Sequence, residues 1–262
     1  MTPHGRLLLA FALLFLSYQL PEGLGQHVLS SVPLQGALLL FFYVVAALVG
    51  RLLGGGMSAY GLGPRPGWPR DLGIGLLLAG AAKGAALLGG QLLGLQDVRL
   101  DPRPLSALLH AMPMALPATL LPSVAEDMVT RGLWLRPELR WRTGAAFVLF
   151  SSSLYVLNHI YRLCLGPLEW TRLFCFGLPY AAVLWRSGSL FATVGLHWGW
   201  NLAGAVLPVE VAARVGWAAP LLSAGAHLLL LGLVLGAPSL FRYHPLPKDE
   251  GGARRWPRER CS

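Results

Sequence analysis

Three clusters of polar residues interrupt an apolar chain, and each is spaced to share one helix face. The segment VAEDMVTRGLW (124–134) holds Glu126, Asp127 and Arg131. Asp127 and Arg131 stand at i, i+4, so on a helix they can pair and offset much of each other's desolvation. Glu126 lies about 100° round the same helix and is left without that partner. Such a carboxylate suits a general base, the alternative being a structural acid–base pair with Glu126 reaching for the membrane surface. SSSLYVLNHI (151–160) puts Tyr155 and His159 at i, i+4, with His159 either a ligand or a hydrogen-bonded packing residue. GLHWGWN (195–201) repeats the spacing with His197 and Asn201, and Gly195 and Gly199 let a neighbouring helix come close. An amide one turn from an imidazole can hold its tautomer, line up beside it toward a common ligand, or bond across to another helix.

A carboxylate and two imidazoles on three separate segments can converge in a bundle core. Glu126, His159 and His197 would then hold a water directly, or bind a divalent metal such as zinc with one position open to water. No HExxH stands in the chain, so zinc rests on ligand type alone. Hydrolysis within a bilayer needs a secluded polar chamber of this kind.

Composition says where these segments sit. Of 262 residues 55% are hydrophobic and only 13% charged, about half the usual ~25%. Such a chain cannot coat a soluble globule, which excludes a cytosolic enzyme, a disordered protein and a soluble repeat array. The net charge of +9 lies in short loops and the last 21 residues, with no basic stripe, so no nucleic-acid partner is expected. Nineteen of the 21 basic residues are Arg, which reads as the base composition of a GC-rich bacterium. Cys164, Cys175 and Cys261 are too few for a disulfide framework or a CxxC metal knuckle. Cys261-Ser262 makes no C-a-a-X box, so prenylation of this chain is not expected.

Apolar runs give about eight spans, near 7–20, 33–53, 72–94, 114–135, 143–161, 173–186, 189–207 and 217–236. The expected fold is an all-α, polytopic transmembrane helical bundle over 1–241, its motif core at 123–202. The first span is expected as a retained helix and not a signal peptide, because no small-x-small site precedes Pro21. Residues 104–111 read as an interfacial piece leading into the fourth span. Fourteen Lys and Arg fall in one set of alternate loops and termini and five in the other, placing both termini in the cytoplasm. The basic tail 242–262 reads as a disordered cytoplasmic end resting on anionic headgroups. Counted from the cytoplasmic ends of ideal spans, Glu126 lies about nine residues deep and His159 about sixteen, a mismatch of roughly 10 Å. Either the fifth helix runs on past Arg162, is tilted or is shifted, or His159 is outside the site.

Glu126-Asp127-x-x-x-Arg131, Tyr155-x-x-x-His159 and His197-x-x-x-Asn201 resemble, in order, the EExxxR, FxxxH and HxxxN motifs of the CPBP (Abi) intramembrane protease family. The family includes type II CAAX prenyl endopeptidases, bacteriocin-processing and immunity proteins, and myxosortase-like bacterial sorting proteases. The resemblance implies an eight-helix bundle with Glu126 as general base. It implies that His159, His197 and Asn201 position or polarise the water and the scissile carbonyl, with Arg131 structural. Two positions depart from the motifs. Asp127 replaces the second Glu, a mild change if that acid only pairs with Arg131 and a serious one if it touches the site. Tyr155 replaces Phe, adding a hydroxyl that can join the network.

Elsewhere, Lys83 between Gly80 and Gly84 snorkels or caps a cavity, and His110 and His227 read as packing residues. Glu210 and Arg214, at i, i+4, read as a surface pair, and Trp198 and Trp200 can line the chamber. The resemblance leads to an intramembrane endopeptidase acting on a membrane-anchored protein or peptide substrate in the lipid bilayer. In a bacterial inner membrane, removal of a C-terminal sorting tail or maturation of a secreted peptide fits better than prenylated substrates. A non-proteolytic immunity or scaffolding protein is the first alternative. A small transporter is the second, weakened by the lack of an inverted repeat.

Overall fold

The computed structural model describes residues 2–102, 104–136, 139, 141–237 and 239–241, so the expected tail over 242–262 lies outside the described residues. Its helices are α1 (Pro3–Leu20), α2 (Val32–Leu52), α3 (Trp68–Leu92), α4 (Leu105–Thr130), α5 (Gly144–Asn158), α6 (Pro167–Ser187), α7 (Leu190–Val206) and α8 (Ala218–Gly236). The all-α bundle class follows directly. Among the described residues four helices are long and apolar enough to cross a membrane: Pro3–Val28, Val32–Leu52, Trp68–Leu92 and Ala218–Gly236. Their outward leucines, such as Leu48, Leu77, Leu88 and Leu229, are exposed on the bundle surface. The polar motifs lie instead on α4, α7 and the end of α5, and none of these is among the four.

Several boundaries differ from the sequence expectation, each for a local reason. The first helix does not stop at Pro21 but continues as a π-helix over Pro21–Val28. Proline has no N–H to give to the preceding turn, and the ladder resumes in the wider winding. The supposed interfacial piece at 104–111 is the first part of α4, a single helix with Pro113, Pro117 and Pro122 inside it. The loops at 95–103 and 208–216 are not plain loops. Gln96–Leu100 (β1) and Val209–Ala213 (β2) pair antiparallel, with Gln96 opposite Ala213 and Leu100 opposite Val209. This ribbon joins the carboxyl ends of α3 and α7. It also corrects the Glu210–Arg214 pairing, because four residues along a strand span ~13 Å. Glu210 faces Arg99 across the ribbon, and Arg214 pairs with Asp97 at 2.6 Å.

Glycines bring α3 and α7 together as the spacing of Gly195 and Gly199 predicts. A Cβ on Gly75 would stand 2.7 Å from the Gly195 carbonyl carbon, and one on Gly199 would stand 2.7 Å from the Leu76 Cα. No side chain fits at either point. One buried cluster gathers Leu14, Phe42, Met128, Leu133, Phe147 and Leu190. A second gathers Leu173, Tyr180, Val183, Leu196 and Leu230 around the middle of α6 and α7. Lipid tails are as apolar as leucine, so these contacts act through close packing more than through release of water.

Candidate active site

The carboxyl end of α4 stops inside the bundle. Arg131 leaves helical geometry at φ −136°, ψ −59°, and the next residues, Gly132, Leu133 and Trp134, stay buried in a short 3-10 turn. Gly132 permits the turn, because a Cβ there would stand 3.1 Å from the Tyr60 Cβ. Ser151, halfway along α5, donates to the Thr130 carbonyl at 3.0 Å and fixes the level of α5 against α4. Glu126 then lies four residues from this mark and His159 eight, a difference of ~6 Å that two side chains can span. The depth mismatch is therefore removed by an early end to α4. The fifth helix does not run past Arg162; it ends at Asn158.

Glu126 sits where α4, α5 and α7 meet, and it is 5% exposed. His159 Nε2 lies 3.3 Å from its Oε1 and His197 Nε2 lies 3.5 Å from its Oε2. Asn158 Nδ2 also donates to Oε1, at 3.3 Å. The carboxylate is thus surrounded by three side chains rather than left alone on its helix face. Gln19 of α1 donates to the Asn158 carbonyl at 2.9 Å and to its side-chain oxygen at 3.3 Å, which orients the amide.

Both imidazoles are pinned at Nδ1 by oxygens that can only accept. His159 Nδ1 lies 2.8 Å from the Tyr155 carbonyl, and His197 Nδ1 lies 3.2 Å from Asp127 Oδ1. Each Nδ1 therefore carries its proton, and each Nε2 turns to Glu126. A lone pair on Nε2 facing an ionised carboxylate is repulsive. A proton, a cation or the hydrogens of a water placed between these atoms would relieve that contact.

Asp127 does two things at once. Its Oδ1 accepts from the fully buried Arg131 guanidinium and also from His197. The second acid of the motif therefore reaches the site as well as the arginine, and aspartate is long enough for both. Arg131 also donates to Thr130 Oγ1 at 2.9 Å. Its guanidinium lies 4.5 Å from the Tyr155 ring centre and 5.1 Å from that of Tyr180. Tyr155 thus serves through its ring, which also meets both imidazoles edge-on at 4.7 and 5.9 Å.

Asn201 has a different position. It donates to Ser123 Oγ at 3.0 Å, one turn along α4 from Asp127. The tautomer of His197 is held by Asp127 and not by the amide below it. Trp198 bonds Thr119 Oγ1 at 3.0 Å, a third link between α7 and α4. His227 is fully buried, takes part in a 2.8 Å hydrogen bond with the Tyr180 hydroxyl, and bonds the Ser223 carbonyl. Tyr180 in turn stacks on His197 with centroids 5.0 Å apart, so His227 packs the wall behind the site. His110 is exposed and bonds the Ser106 carbonyl.

The freed Nε2 lone pairs are of a type that suits a divalent metal. Among the described residues no group of three or more His, Cys, Asp and Glu is placed to hold a metal ion.

Residues 108–203 match the family model described as type II CAAX prenyl endopeptidase Rce1-like. Over this segment, somewhat more than a third of the chain, the sequence is similar to an Rce1-like protease domain. All seven motif residues, from Glu126 to Asn201, lie within the matched segment, as do Ser123 and Asn158. The matched model describes membrane endopeptidases, and the apolar helices around the segment make the chain an integral membrane protein. No curated protein and no solved structure matches the chain. Asn158 and Gln19 are the site residues that motif reasoning passes over. The only signal for Asn158 is an amide next to a motif histidine.

Proposed function

We propose that this Rce1-like protein hydrolyses a peptide bond near the membrane face of a membrane-anchored protein or lipopeptide, using a water activated by Glu126. The observation that carries the reading is the Glu126 carboxylate bracketed by His159 on one oxygen and His197 on the other. In the reaction Glu126 takes a proton from the water as its oxygen attacks the scissile carbonyl. His159 Nε2 accepts the second hydrogen and aims the attack. His197, charged against Asp127, presents Nε2–H to the developing oxyanion. The C–N bond then breaks, and Glu126 returns its proton to the leaving amine. Asn201 keeps its amide oxygen and one N–H for the substrate main chain.

No step requires a metal, and a glutamate-driven hydrolysis is the form these residues favour. Both termini are proposed to face the cytoplasm of a bacterial inner membrane, with C-terminal sorting tails as the substrate class. The test compares wild type with Glu126→Ala in the native host, matched for membrane abundance, by proteomics of membrane and surface proteins. Unprocessed precursors accumulating only in the variant are expected, and their peptides name the bond. An unchanged processed proteome beside a stable variant overturns the assignment and moves weight to a scaffolding role. With a substrate in hand, purified Glu126→Gln is expected to lose cleavage, and full cleavage by it refutes the general-base role.

A further inference from the structure

The turn from α5 to α6 carries a charge cluster that the mechanism above does not use. Ile160–Leu165 winds as a 3-10 helix, and α6 begins at Pro167. Glu169, in the first turn of α6, is buried, and its Oε1 takes Arg162 and Arg172 together, each through Nη2 at 2.6 Å. One carboxylate against two guanidiniums leaves a net positive charge. Among the described residues no second carboxylate stands within ion-pair distance of either arginine. Sharing one oxygen brings the two Nη2 atoms within ~5 Å of each other, close enough for one phosphate to accept from both. Both side chains stay partly exposed, and among the described residues Arg172 Nε has no hydrogen-bond partner.

The surroundings are those of a membrane surface. Ile160, Leu165 and Trp170 are exposed on the same turn, Leu165 at 63%. Trp170 donates its indole N–H to the Leu163 carbonyl at 2.9 Å. A tryptophan with its polar end satisfied and its ring exposed suits the level of the headgroups. Apolar side chains beside paired arginines match the two parts of a phospholipid, its chains and its phosphate. Orientation signals do not account for the arginines, because the alternate loops on this side hold five Lys and Arg against fourteen on the other. The Arg162 N–H also donates to the His159 carbonyl at 2.9 Å, so whatever holds Arg162 steadies the turn that carries His159.

We infer that the turn from α5 to α6 binds the phosphate of an anionic phospholipid between Arg162 and Arg172. The lipid supplies the counter-charge that Glu169 alone leaves missing, and its acyl chains lie against Leu165 and Trp170. Glu169 holds the guanidinium pair together before the lipid arrives, and its own charge limits how tightly the phosphate is held. The site lies outside the Glu126 cluster, so neither binding nor its test depends on cleavage. A soluble phosphate monoester and an acidic peptide side chain are the rival occupants.

Native mass spectrometry of the purified full-length protein would follow titration with dioleoyl phosphatidylglycerol and, separately, with dioleoyl phosphatidylcholine. Both lipids carry the phosphate, but choline sets a cation beside it. The first phosphatidylglycerol should therefore bind wild type ~10-fold or more tightly than the first phosphatidylcholine. Arg162→Gln combined with Arg172→Gln should bring the two lipids level, and Arg162→Lys combined with Arg172→Lys should retain part of the preference. Glu169→Gln removes the competing charge and should strengthen phosphatidylglycerol binding ~3-fold or more. Arg214→Gln, on the ribbon, should bind as wild type does. Equal first-lipid affinities in wild type, or a preference that survives the double Gln variant, overturn the inference. Weaker phosphatidylglycerol binding by Glu169→Gln overturns it as well, because the cluster would then be a structural brace. Displacement of the lipid by equimolar sn-glycerol 1-phosphate assigns the arginines to a soluble phosphate, and displacement by acetyl-Glu-Leu-Leu-amide assigns them to an acidic peptide. Either result overturns the lipid site and leaves the protease reading to its own test.

Discussion

Arg131→Met isolates the charge pair that ends α4. The substitution keeps most of the side-chain volume but removes the cation between the Tyr155 and Tyr180 rings, and Asp127 is left fully buried with only His197 beside it. Removing one partner of a buried pair typically costs ~3–5 kcal/mol. The loss of a desolvated ring contact, up to ~2 kcal/mol, is included in that range here because the two act on one group. Asp127→Asn should cost a similar amount for the converse reason, a buried guanidinium without its anion. The double variant has no net charge to strand and should lie within ~2 kcal/mol of wild type, so the coupling between the sites should be at least ~4 kcal/mol. Unfolding of the purified proteins from dodecyl maltoside by added SDS can be followed by tryptophan emission, since Trp134 packs against Phe11 and Phe150 at 5.1 and 5.0 Å. Single variants costing under ~1 kcal/mol, or a double variant costing the sum of both, would refute the claim that this pair holds the end of α4. Activity should not return with stability in the double variant, because His197 would face an amide in place of an anion.

Asn158→Ala should lower turnover ~10–100-fold with little change in abundance, since it removes an N–H from the Glu126 carboxylate; unchanged turnover would mean that the amide only packs. Cleavage by the purified protein should survive 1,10-phenanthroline and EDTA, and full loss with recovery on adding zinc would make the two imidazoles metal ligands. The ribbon should loosen in acid. Hydrogen bonding from Arg214 holds the Asp97 carboxyl below its usual range. That contribution is therefore present above the ordinary carboxylate pKa and is lost as pH falls through the lowered one. Amide exchange over 96–100 and 209–213 should accelerate there relative to its intrinsic rate, and Arg214→Ala should remove the pH dependence.

Spacing made much of the site legible. The i, i+4 pairs predict which residues share a face, and Asp127–Arg131 and the glycine contact of α7 with α3 follow from them. Apolar runs locate the helices, because a run long enough to span is hard to place otherwise. Spacing is silent where one residue acts alone: Gln19 and Asn158 form no pattern, yet both lie in the shell of Glu126. It is also silent about strands as short as QDVRL and VEVAA, which lie over a hundred residues apart and gain their order only from each other. Residue counting leaves the depth of His159 open for a third reason. Counting assumes that a span is helical to its end, whereas Gly132 lets α4 turn early against Tyr60.

Two of the rungs between α4 and α7, His197 on Asp127 and Asn201 on Ser123, bear on how the protein assembles. Helices that insert separately must then find their alignment in a solvent that gives apolar faces no preference for one another. A slip of one turn, ~5.4 Å, would still leave leucine against leucine. It would set His197 against Ser123 and carry the Asp127–Arg131 pair away from its imidazole. The charged rung therefore works as a key for alignment, and the correct fold is recognised by the same contact that prepares the histidine for chemistry. Substitutions at Asp127 or His197 should accordingly appear first as misassembled protein, and only in the surviving fraction as lost activity.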